Sequence, residues 1–283
     1  MVIRRLLAIL AACSVAVVGT ATAAAAKSPS SGDNTCAGGP IAPGTYRSLT
    51  VTGFCAVGSG VVSVTGGLTI APNAGLDAQS NCDAHLNVSG GITVLTSAIL
   101  FLGNSQNGTG CPDSNNVVHG GLRATNAIGV VVHGTRIDGG FSVQGGGGGN
   151  SYALVPNDNP PPAEIEGCAP LPGLPFPPFT DVEDSHINGG ASISGMSTCW
   201  MGFIRNHVNG VVSVNNNTMG DPDAIEIGLN TIHGGLNCSG NRRDPASPIL
   251  PLGIGGVPTN SFDGSPPNPN TVTGQATGQC AGL

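Results

Sequence analysis

The sequence predicts an all-β fold, a right-handed, single-stranded parallel β-helix of about seven to eight coils with disulfide-tied caps and two proline-rich excursions. The first observation behind this is a repeat in which an aliphatic residue is followed, after one position, by glycine, six times out of seven by two glycines. Most successive repeats are 19 to 30 residues apart, the length of one solenoid coil. The aliphatic residues that begin the repeats are Val64, Val88, Val118, Ile137, Ile187, Val208 and Ile232.

Composition is the second observation. Of 283 residues, 46 are glycine and only 9% are charged, while 39% are hydrophobic. A disordered polar chain is excluded by this apolar content. A glycine-rich and apolar composition is typical of many short strands joined by tight turns, since glycine supplies positive φ in turns at little steric cost.

The third observation is the arrangement of strand-like segments. An alternating segment precedes each glycine pair and another usually follows it, as residues 68–70 follow Gly66 and Gly67. A third apolar segment, such as residues 128–132, completes several coils. We therefore expect three strands per coil, with the glycine pair at one corner and each coil hydrogen bonded to the next.

The N-terminal residues are predicted to be an export signal. Arg4 and Arg5 precede an apolar run, and small residues with Ala-x-Ala cleavage sites follow, so residues 1–26 form the predicted signal peptide of a secreted bacterial protein. As an alternative, residues 10–13 match a lipobox that would make Cys13 a lipid-anchored N-terminus. The apolar run is too short for a membrane span, so we expect no transmembrane segment in the mature chain.

The mature chain is expected to form one domain. Residues 27–47 are predicted to be an N-terminal segment and cap, residues 48–241 the β-helix, and residues 242–283 a proline-rich excursion with a C-terminal cap. Residues 48–53 resemble a strand, but they precede Val64 by too few residues for a full coil and are assigned to the N-terminal cap. Glycine and proline exclude most of residues 144–184 from a central strand, so this segment is predicted to be an excursion. Its last acidic residues, Asp181, Glu183 and Asp184, are expected to be solvated loop charges.

Eight cysteines follow the signal, which predicts four disulfides in an exported chain. Many connectivities are possible, and coil stacking favours the pairing of neighbours in sequence. Structural zinc is disfavoured because no Cys-x-x-Cys occurs. The expected pairs are Cys36 with Cys55, Cys82 with Cys111, Cys168 with Cys199, and Cys238 with Cys280.

Charge and strand period together indicate one candidate site. The net charge of −7 excludes phosphate neutralisation, so nucleic acid is not an expected partner. If the aliphatic residue of each repeat points inward, its two neighbours point outward and form two stacked columns. One column contains Arg136, His186 and His207 on successive rungs, and the other contains Asp138.

Two kinds of chemistry suit this set, Arg136, Asp138, His186 and His207. The imidazoles and Asp138 are able to ligate a divalent metal such as zinc or calcium, or an imidazole can abstract a proton while Arg136 stabilises an anion. The structural alternative is a solvated face in which Arg136 pairs with Asp138. A weaker calcium candidate, Asp221, Asp223 and Glu226, is equally a turn signal, and the turn is favoured.

The rhythm of strand, glycine pair and strand resembles the pectin lyase-like right-handed β-helix superfamily over about residues 48–241. Residues 41–46 (IAPGTY), 234–241 (GGLNCSGN) and 270–280 (NTVTGQATGQC) are similar to uncharacterised secreted β-helix proteins of actinobacteria. Polysaccharide lyases of that superfamily use clustered acidic calcium ligands and a basic proton acceptor, a set that this sequence does not match residue by residue.

The resemblance implies the fold rather than an activity. We therefore expect a secreted, disulfide-stabilised, non-catalytic surface or carbohydrate-interaction protein whose partner is an extracellular polysaccharide or the cell wall. The alternative is a polysaccharide lyase or glycoside hydrolase that acts at the face formed by Arg136, Asp138, His186 and His207.

Overall fold

A computed structural model describes residues 33–149, 179–220, 225–243 and 269–283. The described residues form 30 β-strands, numbered β1 to β30 in chain order, and contain no α-helix. The strands belong to four sheets, named A to D, in which neighbouring strands run parallel.

Sheets A and B contain ten and eight strands. Sheet A consists of β1 (Asp33–Cys36), β4 (Ser48–Val51), β7 (Leu68–Ile70), β10 (Ile92–Val94), β13 (Leu122–Thr125), β16 (Phe141–Gln144), β19 (Ala191–Ser194), β23 (Val212–Asn215), β27 (Leu236–Ser239) and β30 (Ala276–Gly278). Sheet B consists of β2 (Gly39–Ile41), β5 (Phe54–Val57), β8 (Gly75–Ala78), β11 (Ile99–Leu102), β14 (Gly129–His133), β17 (Phe179–Glu183), β21 (Trp200–Ile204) and β25 (Ile225–Gly228).

Sheets C and D contain nine and three strands. Sheet C consists of β3 (Gly44–Tyr46), β6 (Gly60–Val64), β9 (Ala84–Val88), β12 (Asn116–Val118), β15 (Thr135–Ile137), β18 (His186–Ile187), β22 (His207–Val208), β26 (Thr231–Ile232) and β29 (Thr271–Val272). Sheet D consists of β20 (Ser197–Thr198), β24 (Thr218–Met219) and β28 (Arg242–Arg243).

The chain passes from sheet A to B to C and then returns to A one rung further along, which is the path of a parallel β-helix. The predicted fold class and the three strands per coil are therefore confirmed. Sheet B has eight strands, so eight described coils have a strand in each of the three sheets, in agreement with the predicted seven to eight. Sheets A and C continue to ten and nine strands, and the last coils add the short sheet D between A and B.

The β-helix begins earlier in the chain than predicted. Strands β1 to β3 already form one coil, so residues 33–46, predicted to be a cap, belong to the β-helix. Strand β4 pairs with β7, and Leu49 is in register with Leu68. The 13-residue spacing between Val51 and Val64 was misleading because these residues lie in different sheets, A and C.

The aliphatic residue of every repeat is buried, as the strand period predicts. Val64 is 1% exposed, and the other six are fully buried. They lie in register along sheet C, where Val88 pairs with both Val64 and Val118, and Ile137 with Val118. The interior of the solenoid is thus a continuous apolar column, with the neighbours of these residues on its surface.

The glycine pairs lie at the corner between sheets C and A, where successive turns stack closely. A Cβ atom on Gly90 would be 2.7 Å from the carbonyl oxygen of Gly66, and one on Gly120 would be 2.7 Å from that of Gly90. These glycines do not have positive φ. The expectation of a left-handed turn was wrong at this corner, because what excludes a side chain is the backbone of the preceding coil.

Three disulfides join described cysteines, Cys36 with Cys55, Cys82 with Cys111, and Cys238 with Cys280, as predicted. Cys199 is also disulfide-bonded, and its predicted partner Cys168 lies outside the described residues. The predicted signal peptide, Cys13 and most of the two excursions are likewise outside them. None of the described segments forms a helix with the length and apolar character needed to cross a membrane.

Candidate functional site

The predicted outer column of sheet C is present, and the structure brings its residues together. Arg136 pairs with His186, and His186 pairs with His207, on adjacent strands. The rings of His186 and His207 are stacked with centroids 4.3 Å apart, and His233 meets His207 edge-on at 4.8 Å. We call His186, His207 and His233 the histidine ladder.

Asp138 is the centre of a surface hydrogen-bond network beside this ladder. One of its oxygens, Oδ1, accepts hydrogen bonds from Nε of Arg136 at 2.7 Å and Nδ2 of Asn188 at 2.8 Å. Its other oxygen, Oδ2, lies 2.7 Å from Nδ1 of His119, and Asn209 donates to Asn188. The hydrogen bonds from His119 and Arg136 lower the pKa of Asp138, so it remains a carboxylate at neutral pH.

The environment of His186 favours its neutral form. Partial burial, the neighbouring charge of His207 and that of Arg136 lower the pKa of His186 below its ordinary value. At neutral pH the imidazole is therefore able to accept a proton or a hydrogen bond. The oxygens of Asp138 contact Arg136, Asn188 and His119. The predicted set therefore forms an ion pair and a ring stack rather than one four-residue centre.

A groove of about 460 Å³ lies beside Arg136 and His186. Its floor is the outer face of sheet C, and one wall is the segment of residues 103–115, which connects β11 to β12. Its lining is mostly polar and consists of Asp113, Asn115, Asn116, Val117, Gly134, Thr135, Arg136, Asp184, His186 and Asn188.

The 103–115 segment is held in place from several sides. The disulfide between Cys82 and Cys111 joins it to the turn after β8. Ser105 donates from Oγ to Oδ2 of Asp184 at 2.7 Å, and Ser114 donates from Oγ to the carbonyl of Gly134 at 3.3 Å. The groove wall is thus fixed by covalent and polar contacts to residues remote in sequence.

Beneath the 103–115 segment, on sheet B, lies a buried network that the sequence did not predict. Nε2 of His133 is 3.0 Å from Oδ2 of Asp181. Arg205 donates from Nη2 to Oε2 of Glu183 at 2.6 Å and from Nε to Oδ1 of Asp184 at 2.7 Å. The described residues contain one group of three side chains that could hold a metal ion, and it is His133, Asp181 and Glu183 rather than the predicted surface set.

The prediction that Asp181, Glu183 and Asp184 are solvated loop charges was wrong. Asp181 is 7% exposed and Glu183 is 6% exposed. Both belong to β17, which pairs with β14 and β21, and Gly108 of the 103–115 segment lies over Glu183. Val182 points inward between Asp181 and Glu183 and is fully buried. The alternation across residues 179–183 was the available signal for a strand, and the neighbouring proline-rich stretch obscured it. That signal places Asp181 and Glu183 on the outer face and does not predict their burial.

Burial and mutual repulsion change the proton affinities of this network. Burial and the charge of Asp181 raise the pKa of Glu183 to about 7, although His133 and Arg205 oppose this. Burial acts to lower the pKa of His133, but the hydrogen bond to Asp181 and the nearby carboxylates raise it overall. Burial likewise opposes ionisation of Asp184, yet hydrogen bonds from Arg205 and Ser105 lower its pKa overall.

The remaining calcium candidate is only partly described. Glu226 lies on β25 in register with Gly202, while Asp221 and Asp223 lie outside the described residues.

No protein-family model, curated protein or solved structure matches this chain. The fold therefore defines the class, a disulfide-stapled parallel β-helix protein, and the surface network and groove define its candidate site.

Proposed function

We propose that this protein is a secreted, non-catalytic β-helix protein that binds an extracellular glycan in the groove beside Arg136. The observation that carries the proposal is the groove itself, about 460 Å³ in volume, with amide, hydroxyl, imidazole and guanidinium groups along its lining. Several of these side chains already have fixed partners, as Arg136 and Asn188 have in Asp138. Donors and acceptors that are already held in place lose little conformational entropy when they bind a sugar hydroxyl.

The charges of the groove favour a neutral glycan. Asp113 and Asp184 line it together with a single arginine, Arg136, whose charge is shared with Asp138. A polyuronate would place carboxylates beside these acids, which like-charge repulsion disfavours. Neutral or N-acetylated sugar chains are therefore the proposed ligand class.

The proton affinities of the groove favour binding over hydrolysis. A glycosidase needs a carboxylic acid whose raised pKa lets it protonate the leaving group. Asp184, in the groove, and Asp138, beside it, both have lowered pKa values and are engaged by Arg205 and Arg136 respectively. Glu183 has a raised pKa, but it lies buried beneath the 103–115 segment.

Binding is tested by affinity electrophoresis on a panel of neutral and acidic polysaccharides. We expect retardation by a neutral polysaccharide, and a decrease in affinity of about tenfold in Arg136→Ala and in Asn188→Ala, each of which loses hydrogen bonds to the ligand. Arg123→Ala is the matched control, because Arg123 is exposed on sheet A, away from the groove lining. Equal retardation of all variants and wild type would contradict the groove as the binding site.

A polysaccharide lyase or hydrolase is the second candidate function. The neutral imidazole of His186 beside Arg136 supports it, since a lyase needs a base and a cation that stabilises the anion. Absorbance of unsaturated products from the same panel decides between the functions. A rate that is lost in His186→Ala and His207→Ala would replace the binding proposal with the lyase, and reducing ends without unsaturation would indicate a hydrolase.

Secretion completes the proposal. Three disulfides between described cysteines are compatible with an oxidising compartment. The arginine pair and apolar run at the N-terminus support export, and the rhythm of strand, glycine pair and strand over about residues 48–241 supports membership of the pectin lyase-like superfamily. We expect the mass of the exported protein to correspond to cleavage after an Ala-x-Ala site. A lipid adduct on Cys13 would indicate the lipoprotein alternative instead.

A further inference from the structure

The buried network on sheet B has the composition of a metal site. One potential ligand atom each from His133, Asp181 and Glu183 lies within 4.8 Å of the other two, and all three residues are buried. His133 lies on β14, and Asp181 and Glu183 lie on the adjacent strand β17. They are close together because His133 is in register with Glu183. An imidazole and two carboxylates are ligand types that divalent transition metals accept.

The charge of this network leaves room for one divalent cation. When ionised, Asp181, Glu183 and Asp184 carry three negative charges, and among the described residues Arg205 is the guanidinium that contacts them. With a neutral His133 the group has two net negative charges away from water, a state that proteins neutralise with protons or a cation. Two protons, one on His133 and one on Glu183, balance this charge, and one divalent cation that replaces both protons balances it equally.

Asp181 is a buried carboxylate with unused hydrogen-bonding capacity. Its Oδ1 has no hydrogen-bond partner in the described part of the chain and lies beside Gly202 of β21, where a Cβ atom would be 2.5 Å from it. Its Oδ2 lies 3.0 Å from Nε2 of His133. Two ligand atoms of a tetrahedral ion, each bound at about 2.1 Å, are about 3.4 Å apart, so replacing this hydrogen bond by a metal requires the two atoms to separate by only about 0.4 Å.

The 103–115 segment closes the site from outside. A Cβ atom on Gly108 would lie 2.7 Å from Nδ1 of His133 and 2.9 Å from Oε2 of Glu183. Glycine is therefore the residue that fits directly above these two groups. The backbone at Gly108 shields them from solvent.

We propose that His133, Asp181 and Glu183 bind one divalent transition-metal ion of the zinc class, which fixes the 103–115 segment on sheet B. An imidazole ligand favours zinc over calcium, which takes six to eight oxygen ligands. The guanidinium of Arg205 and the amide of Gln79 are the outer partners that orient Glu183 and His133. The inference is independent of the proposed glycan binding, and its test needs no glycan.

Metal binding changes the tautomer of His133. The amide nitrogen of Gln79 faces Nδ1 of His133 at 3.2 Å, so Nε2 carries the proton that bonds Asp181. Coordination through Nε2 requires this ring to carry its proton on Nδ1 instead. A half-turn of the Gln79 amide would present its oxygen to that proton, at the loss of the hydrogen bond that the same amide nitrogen donates to the carbonyl of Gly103 at 2.9 Å.

The test is a zinc titration of a protein that lacks the surface imidazoles. Replacement of His119, His186, His207 and His233 by alanine in a chain without a histidine tag removes the exposed zinc ligands and leaves His85 and His133. We expect calorimetry and metal analysis to find one zinc per chain, with no measurable competition from calcium. In this background Glu183→Gln should weaken zinc binding by roughly 100-fold or more, since even outer partners contribute 10- to 100-fold.

Asp184→Asn is the matched control, because it removes a carboxylate bound to the same arginine and outside the three-ligand group. We expect its zinc affinity to remain within about tenfold of the background. Equal losses in both variants would show a general electrostatic effect and overturn the ligand assignment. A folded background protein that binds no zinc would overturn the site.

Cobalt provides a readout that does not depend on the folding of Glu183→Gln. Co²⁺ in the four-histidine variant should give the intense visible bands of a four- or five-coordinate ion. A spectrum that remains that of hydrated Co²⁺ would contradict the proposal.

Discussion

At the residue scale, close approach of backbones is what selects glycine at the corner between sheets C and A. Gly120 lies directly over Gly90, with no room for a Cβ atom and no positive φ. The repeat is visible in the sequence, whereas its cause is visible only in the stacked turns. Glycine at this corner therefore reports packing between coils rather than a local turn type.

This cause predicts the effect of Gly120→Ala. The added methyl group would be 2.7 Å from backbone atoms of Gly90 and Gly91, so the turns must separate. We expect a loss of about 1–3 kcal/mol in the free energy of unfolding, measured by urea denaturation. Gly58→Ala is the control, because a Cβ there has no neighbour within 4 Å, and its effect should stay within about 1 kcal/mol. Similar losses in both variants would refute the packing explanation.

The histidine ladder predicts a pH dependence of stability. His186 has a pKa below its ordinary value of 6.5 in the folded protein, so between the two values the unfolded chain binds more protons. Stability from this group is therefore present above pH 6.5 and is lost as pH falls toward the folded pKa. His186→Gln should reduce this loss of stability at acidic pH. The measurement is the free energy of unfolding of variant and wild type, from urea denaturation between pH 5 and 8. A difference that is constant with pH would contradict the sign of the shift.

At the element scale, the 103–115 segment connects the groove to the buried network. It lines the groove through Asp113 and Asn115, and it contacts the network through Ser105 and Gly108. One covalent tie, Cys82 to Cys111, holds it to the preceding coil. The position of this segment therefore controls both the shape of the groove and the access of solvent to His133 and Glu183.

Removal of that tie should affect both stability and binding. Replacing Cys82 and Cys111 together by alanine is expected to cost about 2–4 kcal/mol in the free energy of unfolding. The same variant should lose affinity for the neutral glycan, because one wall of the groove is released. Replacing Cys36 and Cys55 together is the control, since that disulfide lies away from the groove lining and should lower stability while affinity is retained. Unchanged glycan affinity in the first variant would show that the wall does not need its disulfide.

At the scale of the whole molecule, each described coil contacts its neighbours along the solenoid. Strand β9, for instance, pairs with β6 and β12, and its Leu86 is fully buried. Stability in such a fold is approximately a sum of coil and interface terms. Disturbance of one coil should therefore weaken adjacent coils before distant ones.

Leu86→Ala tests this one-dimensional coupling. The cavity should cost about 2–5 kcal/mol in stability. Hydrogen exchange should increase most in β6, β9 and β12 and least in β27, which lies six rungs along sheet A from β7, the sheet A strand of the same coil as β9. A conservative Leu86→Met replacement should leave the exchange pattern close to that of wild type. Uniform acceleration along the chain would instead indicate a single cooperative unit.

The sequence was sufficient for the fold because strand period and coil length are local properties. The inward column at Val88 and Ile137, the outward pair of His186 and His207, and the disulfide between Cys238 and Cys280 all followed from them. The N-terminal boundary of the β-helix did not follow, because Val51 and Val64 resemble equivalent strands although they lie in different sheets.

By itself, then, the sequence determined the β-helix, its glycine corner and the face that carries Arg136 and Asp138. Only the tertiary structure decided that Asp181 and Glu183 are buried and that Ser105 reaches Asp184 across 79 residues of sequence. The physical reason is that strand period fixes which way a side chain points. What covers that side chain depends on where a long connecting segment folds back, and no local pattern in the sequence specifies this.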